Sequence, residues 1–494
     1  MSTFPTTGLT PIVAFNFDGS QSQDGVGDLP YKVLFIGGLL AAGSLDEGRI
    51  DLVTSAAMAE EYYGVGSQLA RMCAAYFAAN PKATLYCGGL ADAGAGVAAT
   101  GLITLAGTAT AAGTINLWIA GKKVTVAVAV GDAHTDLDAD VAAAINADTD
   151  LPVTATDNED GTIGLTARHK GEAGNDIDVR VSYGDGEAVP AGLTVTIAAM
   201  GDTGSAMTAG ATNPDVTTIT DLIGEDWYQV IAMPYVDATN LTAIEAVLDA
   251  QWGADVMHDG HVFVGKVAAS VAVLASWGNG RNSKHVTSIG CNGIPNTPED
   301  VAAVVAAVVA TEGSADPARP FQTLSLTGIL APTRGSDLTR TERELLLLDG
   351  IATIVPDGAR AMRIERLVTM YQTNGAGAAD PTYRDLNTKL TLMHLRYETV
   401  THLQTRYPRA KLASSDAGVG PEGGPVVTPG RIKNEMLGLC RTWISKGWVE
   451  DYDSFKDGIV VQRKMADPNV VEVLATPDLM NQLRSIAGTF QFKQ

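Results

Sequence analysis

His258-Asp259-Gly260-His261, with Asp255 shortly before it, gathers residue types that bind divalent metals. Metal-binding helices present their ligands on one face, and the intervening Gly260 interrupts such a face. An apolar strand pattern begins at His261, so a solvated loop-to-strand junction is the simpler expectation. A second candidate is the strand-like run Lys32 to Ile36 followed by Gly37-Gly38. A dinucleotide-binding turn needs G-x-G-x-x-G so that backbone can approach a pyrophosphate, and Leu39 stands where the second glycine would be. Cys73, Cys87, Cys291 and Cys440 form no C-x-x-C pair and have no neighbouring His, so reduced core thiols are expected. No G-x-S-x-G elbow, H-E-x-x-H or Walker A pattern occurs. The sequence therefore assigns no catalytic residue, no metal ligand and no cofactor.

The elements that would position these residues alternate along the chain. Tyr31 to Gly37 reads as a buried strand, Thr54 to Tyr63 and Ser67 to Ala79 as helices, and Thr84 to Cys87 as a strand. Beyond Ala91 the texture changes to Thr, Gly, Ala and Val. Here a hairpin is predicted about Ala120-Gly121, and a helix from Leu137 to Ala147 with Thr135 and Asp138 spaced as a capping box. Further strands are expected at Gly161 to Ala167 and Ile177 to Tyr183. From Asn213 the pattern is β-α-β-α-β, with strands at Trp227 to Met233, His261 to Val264 and His285 to Ile289, which predicts a parallel sheet covered by helices. Thr297-Pro298-Glu299-Asp300 opens one helix, and Thr339 with Glu342 caps another before a strand at Ile351 to Val355.

The last part carries a long helix over Tyr383 to Thr405, a Gly/Pro loop, a helix over Ile432 to Lys446 and a strand pair near Gly458 to Arg463 and Val470 to Leu474. A helix over Asp478 to Ala487 and a terminal strand over Thr489 to Lys493 are predicted to follow. The fold class expected is α/β multidomain. An arm and linker occupy 1–30, an α/β core with a parallel sheet 31–93 and 206–379, a mostly β insertion 94–205, and an α+β domain 380–494.

Both ends carry short strands with an apolar face: Ile12, Val13, Phe15 and Phe17 before a Gly/Ser/Gln/Asp linker, and Phe490 and Phe492 at the other terminus. Such strands suit addition to a neighbouring subunit's sheet, and a repeated heterologous contact that does not close builds a helical filament.

Charge narrows the function classes. The formal net charge is −22, which argues against a nucleic-acid surface. Residues 94–205 hold 15 Asp/Glu against 5 Lys/Arg, whereas 380–494 hold 13 against 15. The start, Met1-Ser2-Thr3-Phe4, has no basic run leading into an apolar stretch, so no secretory signal is expected. The most apolar helix, Val301 to Ala310, is about half the ~20 residues a bilayer span needs.

Seven ordered blocks in the C-terminal third carry a resemblance. They are Ile364-Glu365-Arg366 with Thr369-Met370-Tyr371-Gln372-Thr373-Asn374; Tyr383-Arg384-Asp385-Leu386-Asn387-Thr388; Leu395-Arg396-Tyr397; Pro408-Arg409-Ala410-Lys411-Leu412; Val427-Thr428-Pro429; Ala466-Asp467-Pro468-Asn469; and Pro477-Asp478-Leu479-Met480-Asn481-Gln482-Leu483. Gly64-Val65-Gly66-Ser67 and Tyr76-Phe77-Ala78-Ala79-Asn80-Pro81 extend it towards the N-terminus. The chain resembles the Mu-like contractile phage tail sheath proteins. That resemblance implies a homo-oligomer of stacked hexameric rings, wound helically around a tail tube and contracting to drive it through the host envelope. It also implies tube, baseplate and tail terminator partners, no direct nucleic acid, no membrane insertion, and a place in the virion tail after synthesis in the bacterial cytoplasm. The arm role falls on Ile12, Val13, Phe15, Phe17, Phe490 and Phe492, and Arg431, Lys433, Arg441 and Lys446 are expected tube contacts. A tube or baseplate subunit, or an α/β enzyme using residues 213–356, are the alternatives.

Overall fold

The computed structural model describes residues 29–79, 82–197, 207–415 and 425–493. The N-terminal arm residues Ile12, Val13, Phe15 and Phe17 lie outside them.

The first stretch gives β1 (Lys32–Gly38), β2 (Ile50–Val53), α1 (Ala56–Tyr63), α2 (Gln68–Ala79) and β3 (Thr84–Leu90). Ser55 starts α1 by accepting from the Met58 amide. The chain then enters a second body: β4 (Ala98–Gly107), β5 (Gly113–Ile119), β6 (Lys122–Val128), α3 (His134–Ala147), β7 (Val153–Asp157), β8 (Thr162–Lys170), β9 (Val179–Val181) and β10 (Leu193–Ile197). Its strands form two antiparallel sheets, in orders β10-β4-β8-β7 and β6-β5-β9, which share one core with α3. The Ala120-Gly121 turn has φ of 52° and 75°, the left-handed pair that a two-residue hairpin demands.

Returning, the chain adds α4 (Thr217–Ile223), β11 (Val230–Ala232), α5 (Ala238–Trp252), β12 (His261–Lys266), α6 (Val271–Asn279), β13 (Val286–Gly290), α7 (Pro298–Ala315), α8 (Arg340–Leu348), β14 (Ile351–Pro356) and β15 (Met362–Arg366). The sheet runs β15-β14-β13-β12-β11-β1-β3-β2. Its six inner strands are parallel, and each edge strand is antiparallel to its neighbour. Alternate side chains go to opposite faces. Val33, Phe35, Val230 and Phe263 pack under α2 and α7, while Leu34, Ile36, Ile231 and Val262 pack under α4, α5, α6 and α8. Helix α7 is apolar on almost every side because it is enclosed: Val301 through Ala307 are all buried.

The last body contains α9 (Leu386–Arg406), β16 (Lys411–Leu412), β17 (Val426–Val427), α10 (Pro429–Ser445), β18 (Val449–Glu450), α11 (Tyr452–Gly458), β19 (Val460–Arg463), β20 (Val471–Leu474) and β21 (Asp478–Leu479). Helix α9 belongs to two cores. Leu386, Leu390 and Met393 join the central one, and Leu395 joins Met436, Leu439, Cys440, Trp443 and Phe455 of the C-terminal one.

Several expectations need correction. Strands β4, β7 and β10 were not anticipated. The Thr135/Asp138 capping box does not form: α3 starts at His134, three residues before the expected Leu137, and Asp138, 1% exposed, accepts from the Gly161 amide instead. The predicted helix Asp478 to Ala487 is absent. Two residues pair with β18, the Met480 amide donates to Trp448 O and Asn481 donates to Glu450, so backbone and side chains are engaged across the chain rather than along a helix. Residues 480–493 form no strand, and Phe490 and Phe492 pair with no sheet among the described residues.

Candidate assembly surfaces and a buried polar node

The C-terminal segment is tied down as far as Arg484 and loose of contact beyond it. Gln482 Nε2 lies 3.4 Å from Ala318 O, and the Arg484 guanidinium donates to Asp385 Oδ1 at 2.7 Å. Beyond this tie Ile486 is 85% exposed, Phe490 100% and Phe492 82%. Three large apolar side chains on one short segment, all in water, are unusual for a finished surface. Beside the same body lies β19–β20, a two-stranded hairpin with Val460, Val473 and Leu474 exposed and Met465 at its tip. A lone two-stranded sheet is marginal in water, and its edges offer unpaired backbone groups.

The four basic residues expected to face a tube sit on or at the end of α10, each already engaged. Arg431 donates to Val426 O (2.8 Å) and Lys433 to Ile459 O (3.1 Å). Arg441 stacks over the Tyr452 ring (4.8 Å), and Lys446 pairs with Glu398 (2.5 Å) above Trp448 (4.4 Å). At about 100° per residue, Arg431, Arg441 and Lys446 share an arc and Lys433 points away from it.

Gly37 and Gly38 are the last two residues of β1 rather than a turn, and the second glycine has a packing cause. The Gly38 amide donates to Gln68 Oε1 at 3.0 Å, and a Cβ on Gly38 would lie 2.7 Å from both Gln68 Oε1 and His169 Nδ1. His169 arrives from β8, accepts from the Gln68 amide at the start of α2 (3.1 Å) and places its other ring nitrogen 3.2 Å from Asp92. The helix N-terminus next to this strand end, where an open α/β sheet often holds a phosphate, is thus occupied by the chain's own imidazole.

The His258 to His261 stretch is no solvated junction. Asp259 is 1% exposed and pairs with Arg396 of α9 at 2.7 Å, while the His258 ring stacks on Trp227. Gly260 O accepts from Lys389 Nζ at 2.6 Å, and His261 Nε2 meets Thr287 Oγ1 at 2.8 Å. Burial lifts the Asp259 carboxyl to about 6 against the pull of Arg396 and Lys389. Burial first, then the Lys389 charge, holds His261 well below the usual imidazole range and His285 down to about 3. The sequence held one signal of this node: Leu386, Lys389, Leu390 and Met393 have i, i+3, i+4, i+7 spacing, so Lys389 falls inside an apolar stripe. Among the described residues no group of three or more His, Cys, Asp or Glu could hold a metal ion, and no helix is long and apolar enough to cross a membrane.

Comparison with known proteins covers almost the whole chain. Family models match residues 94–196 (phage tail sheath protein beta-sandwich domain), 209–370 (phage tail sheath protein central domain) and 378–493 (phage tail sheath C-terminal domain). A Mu-like prophage FluMu tail sheath protein of Haemophilus influenzae is 35% identical over 488 residues, 99% of this chain and 98% of that protein. Among solved structures, a chain of the anti-feeding prophage baseplate in contracted state matches with a TM-score of 0.50 at 10% identity, covering 99% of each chain. A sheath tail protein from Desulfitobacterium hafniense gives 0.47 at 12% identity, covering 95% of this chain and all of that one.

Proposed function

This chain belongs to the phage tail sheath family, and on that premise we propose that it polymerises helically around a tail tube as stacked hexameric rings and contracts to drive the tube through the host envelope during DNA ejection. The observation that carries this reading is the end-to-end match to a Mu-like tail sheath protein. The family is structural, so no reaction is assigned to the central sheet.

The arms connect the lattice in this reading. Phe490 and Phe492 stand uncovered in a single chain, and burying each against a neighbour would contribute roughly 1.5–3 kcal/mol before the cost of association. Ile12, Val13, Phe15 and Phe17 supply the corresponding contact from the other terminus. The open hairpin β19–β20 is a suitable acceptor in a second copy. The division of labour follows the four parts expected from sequence: arm 1–30, core 31–93 with 206–379, insertion 94–205, and C-terminal domain 380–494. The last faces the tube through Arg431, Arg441 and Lys446, which share an arc of α10, with Lys433 of the expected four turned away from it, while baseplate and terminator proteins close the two ends. Synthesis takes place in the bacterial cytoplasm and the product resides in the virion tail.

Negative-stain microscopy of the purified protein tests the proposal. Tubes or stacked rings are expected; a preparation that stays dispersed as monomers at high concentration would count against it.

A further inference from the structure

Lys389 projects from α9 into the space beneath the first residues of β12 and β13, and its side chain is buried, at 2% exposure. Its hydrogen-bond partners are Gly260 O at 2.6 Å, His285 Nδ1 at 2.6 Å and His261 Nδ1 at 3.5 Å, none of them a carboxylate. For His285 the remaining contact fixes which nitrogen carries the proton. His285 Nε2 lies 2.9 Å from Asp249 Oδ1, and a carboxylate only accepts, so Nε2 is the N–H and Nδ1 is left with its lone pair towards Lys389. His261 turns Nδ1 to Lys389 and Nε2 to Thr287 Oγ1, a hydroxyl able to donate or accept. The bonds at the amine thus run outward from Lys389: Gly260 O accepts at any pH, whereas the two ring nitrogens accept only while their imidazoles are neutral.

Other charges facing this node come from all the elements around it. Asp249 and Trp252 belong to α5, Asp259 precedes β12, Lys284 precedes β13, and Arg396 lies two turns along α9 from Lys389. Lys284 pairs with Asp249 (3.1 Å) and Arg396 with Asp259 (2.7 Å), and Lys284, Lys389 and Arg396 all lie within 4.8–5.6 Å of the Trp252 ring centre. Both carboxylates are therefore already matched by cations. A further proton on either imidazole would place an N–H against the Lys389 amine and add a charge to a buried site that already holds Lys284, Lys389 and Arg396.

We propose that Lys389 is an acid-released latch, fastening α9 and the C-terminal body to the central sheet while His261 and His285 are neutral and letting go when either ring is protonated. The latch lies within one subunit and stands on contacts inside one chain, whatever the lattice around it.

The test is amide hydrogen exchange of the full-length chain between pH 8 and pH 3, corrected for the intrinsic pH dependence of exchange, comparing peptides of α9 with those of the enclosed α7. In the wild type, protection of α9 should fall at least tenfold more than that of α7 on acidification. Lys389→Met keeps the length and apolar stem but has no donor, so its α9 peptides should lose that extra acid sensitivity. His285→Gln, which keeps polar groups but cannot gain a proton in this range, should blunt it too and serves if the Lys389 variant does not fold. Equal loss of protection in α7 and α9 of the wild type, or an unchanged acid profile in the variants, would overturn the latch.

Discussion

Asp385 precedes the first residue of α9 but does not cap it, for its side chain makes no bond to the helix amides. Both its oxygens hold Arg366 at the end of β15, at 2.9 and 3.0 Å, and Oδ1 also takes Arg484 from the C-terminal segment at 2.7 Å. One carboxylate thus ties the sheet, α9 and the base of the tail. Replacing it by Asn leaves two guanidiniums with a weaker shared acceptor, at a cost of about 1–2 kcal/mol. Asp385→Asn should lower the urea midpoint slightly and speed tryptic cleavage after Arg484, since the segment would leave its seat more often; unchanged cleavage would refute the tie. His394, also on α9, accepts from or donates to the Tyr31 hydroxyl at 3.0 Å, and burial followed by the Lys446 charge holds its pKa down to about 4. A base with a depressed folded pKa favours the fold fully above its unfolded value of about 6.5. That contribution is lost as pH falls from about 6.5 towards 4, when the unfolded chain binds a proton that the fold refuses. His285 acts in the same direction, and Asp259, lifted to about 6, offsets part of the loss by taking a proton in the folded state. Denaturant titrations should show stability dropping through this window, with His394→Gln removing on the order of 2 kcal/mol of the drop.

At the scale of elements, the exposed tail makes a sharp separation between folding and assembly. Because Phe490 and Phe492 touch no core, replacing both by Asp should leave the melting temperature within about 2 °C of the wild type, as for surface substitutions generally. Polymerisation should nevertheless be abolished, and removal of Met1 to Asp18 should do the same. Ordered tubes formed by either variant would reject the arm role. What could be read from sequence here was local chemistry. The Thr339/Glu342 capping box forms as spaced, Pro298 opens α7, and the Ala120-Gly121 turn closes its hairpin, because each is decided within a few residues. Distant contacts decided the failures. The apolar spacing from Asp478 to Ala487 suits a helix, yet Asp478 and Leu479 pair with β18 and Arg484 goes to Asp385. Likewise the polarity of His258 to His261 suggested solvent, whereas Arg396 and Lys389, more than a hundred residues later, enclose it. The apolar stripe of α9 was legible, but not that a lysine within it would meet two imidazoles.

For the molecule as a whole, the charge asymmetry predicts an orientation. The acidic insertion should face outward in the assembled tail and the more basic last body should face the tube. An epitope placed at Gly94, where a side chain would meet nothing within 4 Å, should be bound by antibody on intact tails; a shielded epitope would reverse the orientation. The same scale decides the energy source. The start of α2, beside Gly37 and Gly38 at the end of β1, is filled by His169 and Gln68, and the sequence has no Walker A loop to hold a nucleotide. Work can instead be stored when subunits are laid down in a metastable lattice: even ~1 kcal/mol of packing difference per subunit becomes large when summed along a polymer. On the proposed arm role, a linker of a dozen residues would let neighbours rotate and translate while their arms stay attached. Acid, denaturant or heat should therefore shorten purified tails in buffer free of nucleotide, and cross-linking the arms to their neighbours should still permit it. If shortening instead required added nucleotide, the energy would have to come from hydrolysis and the stored-lattice account would fail.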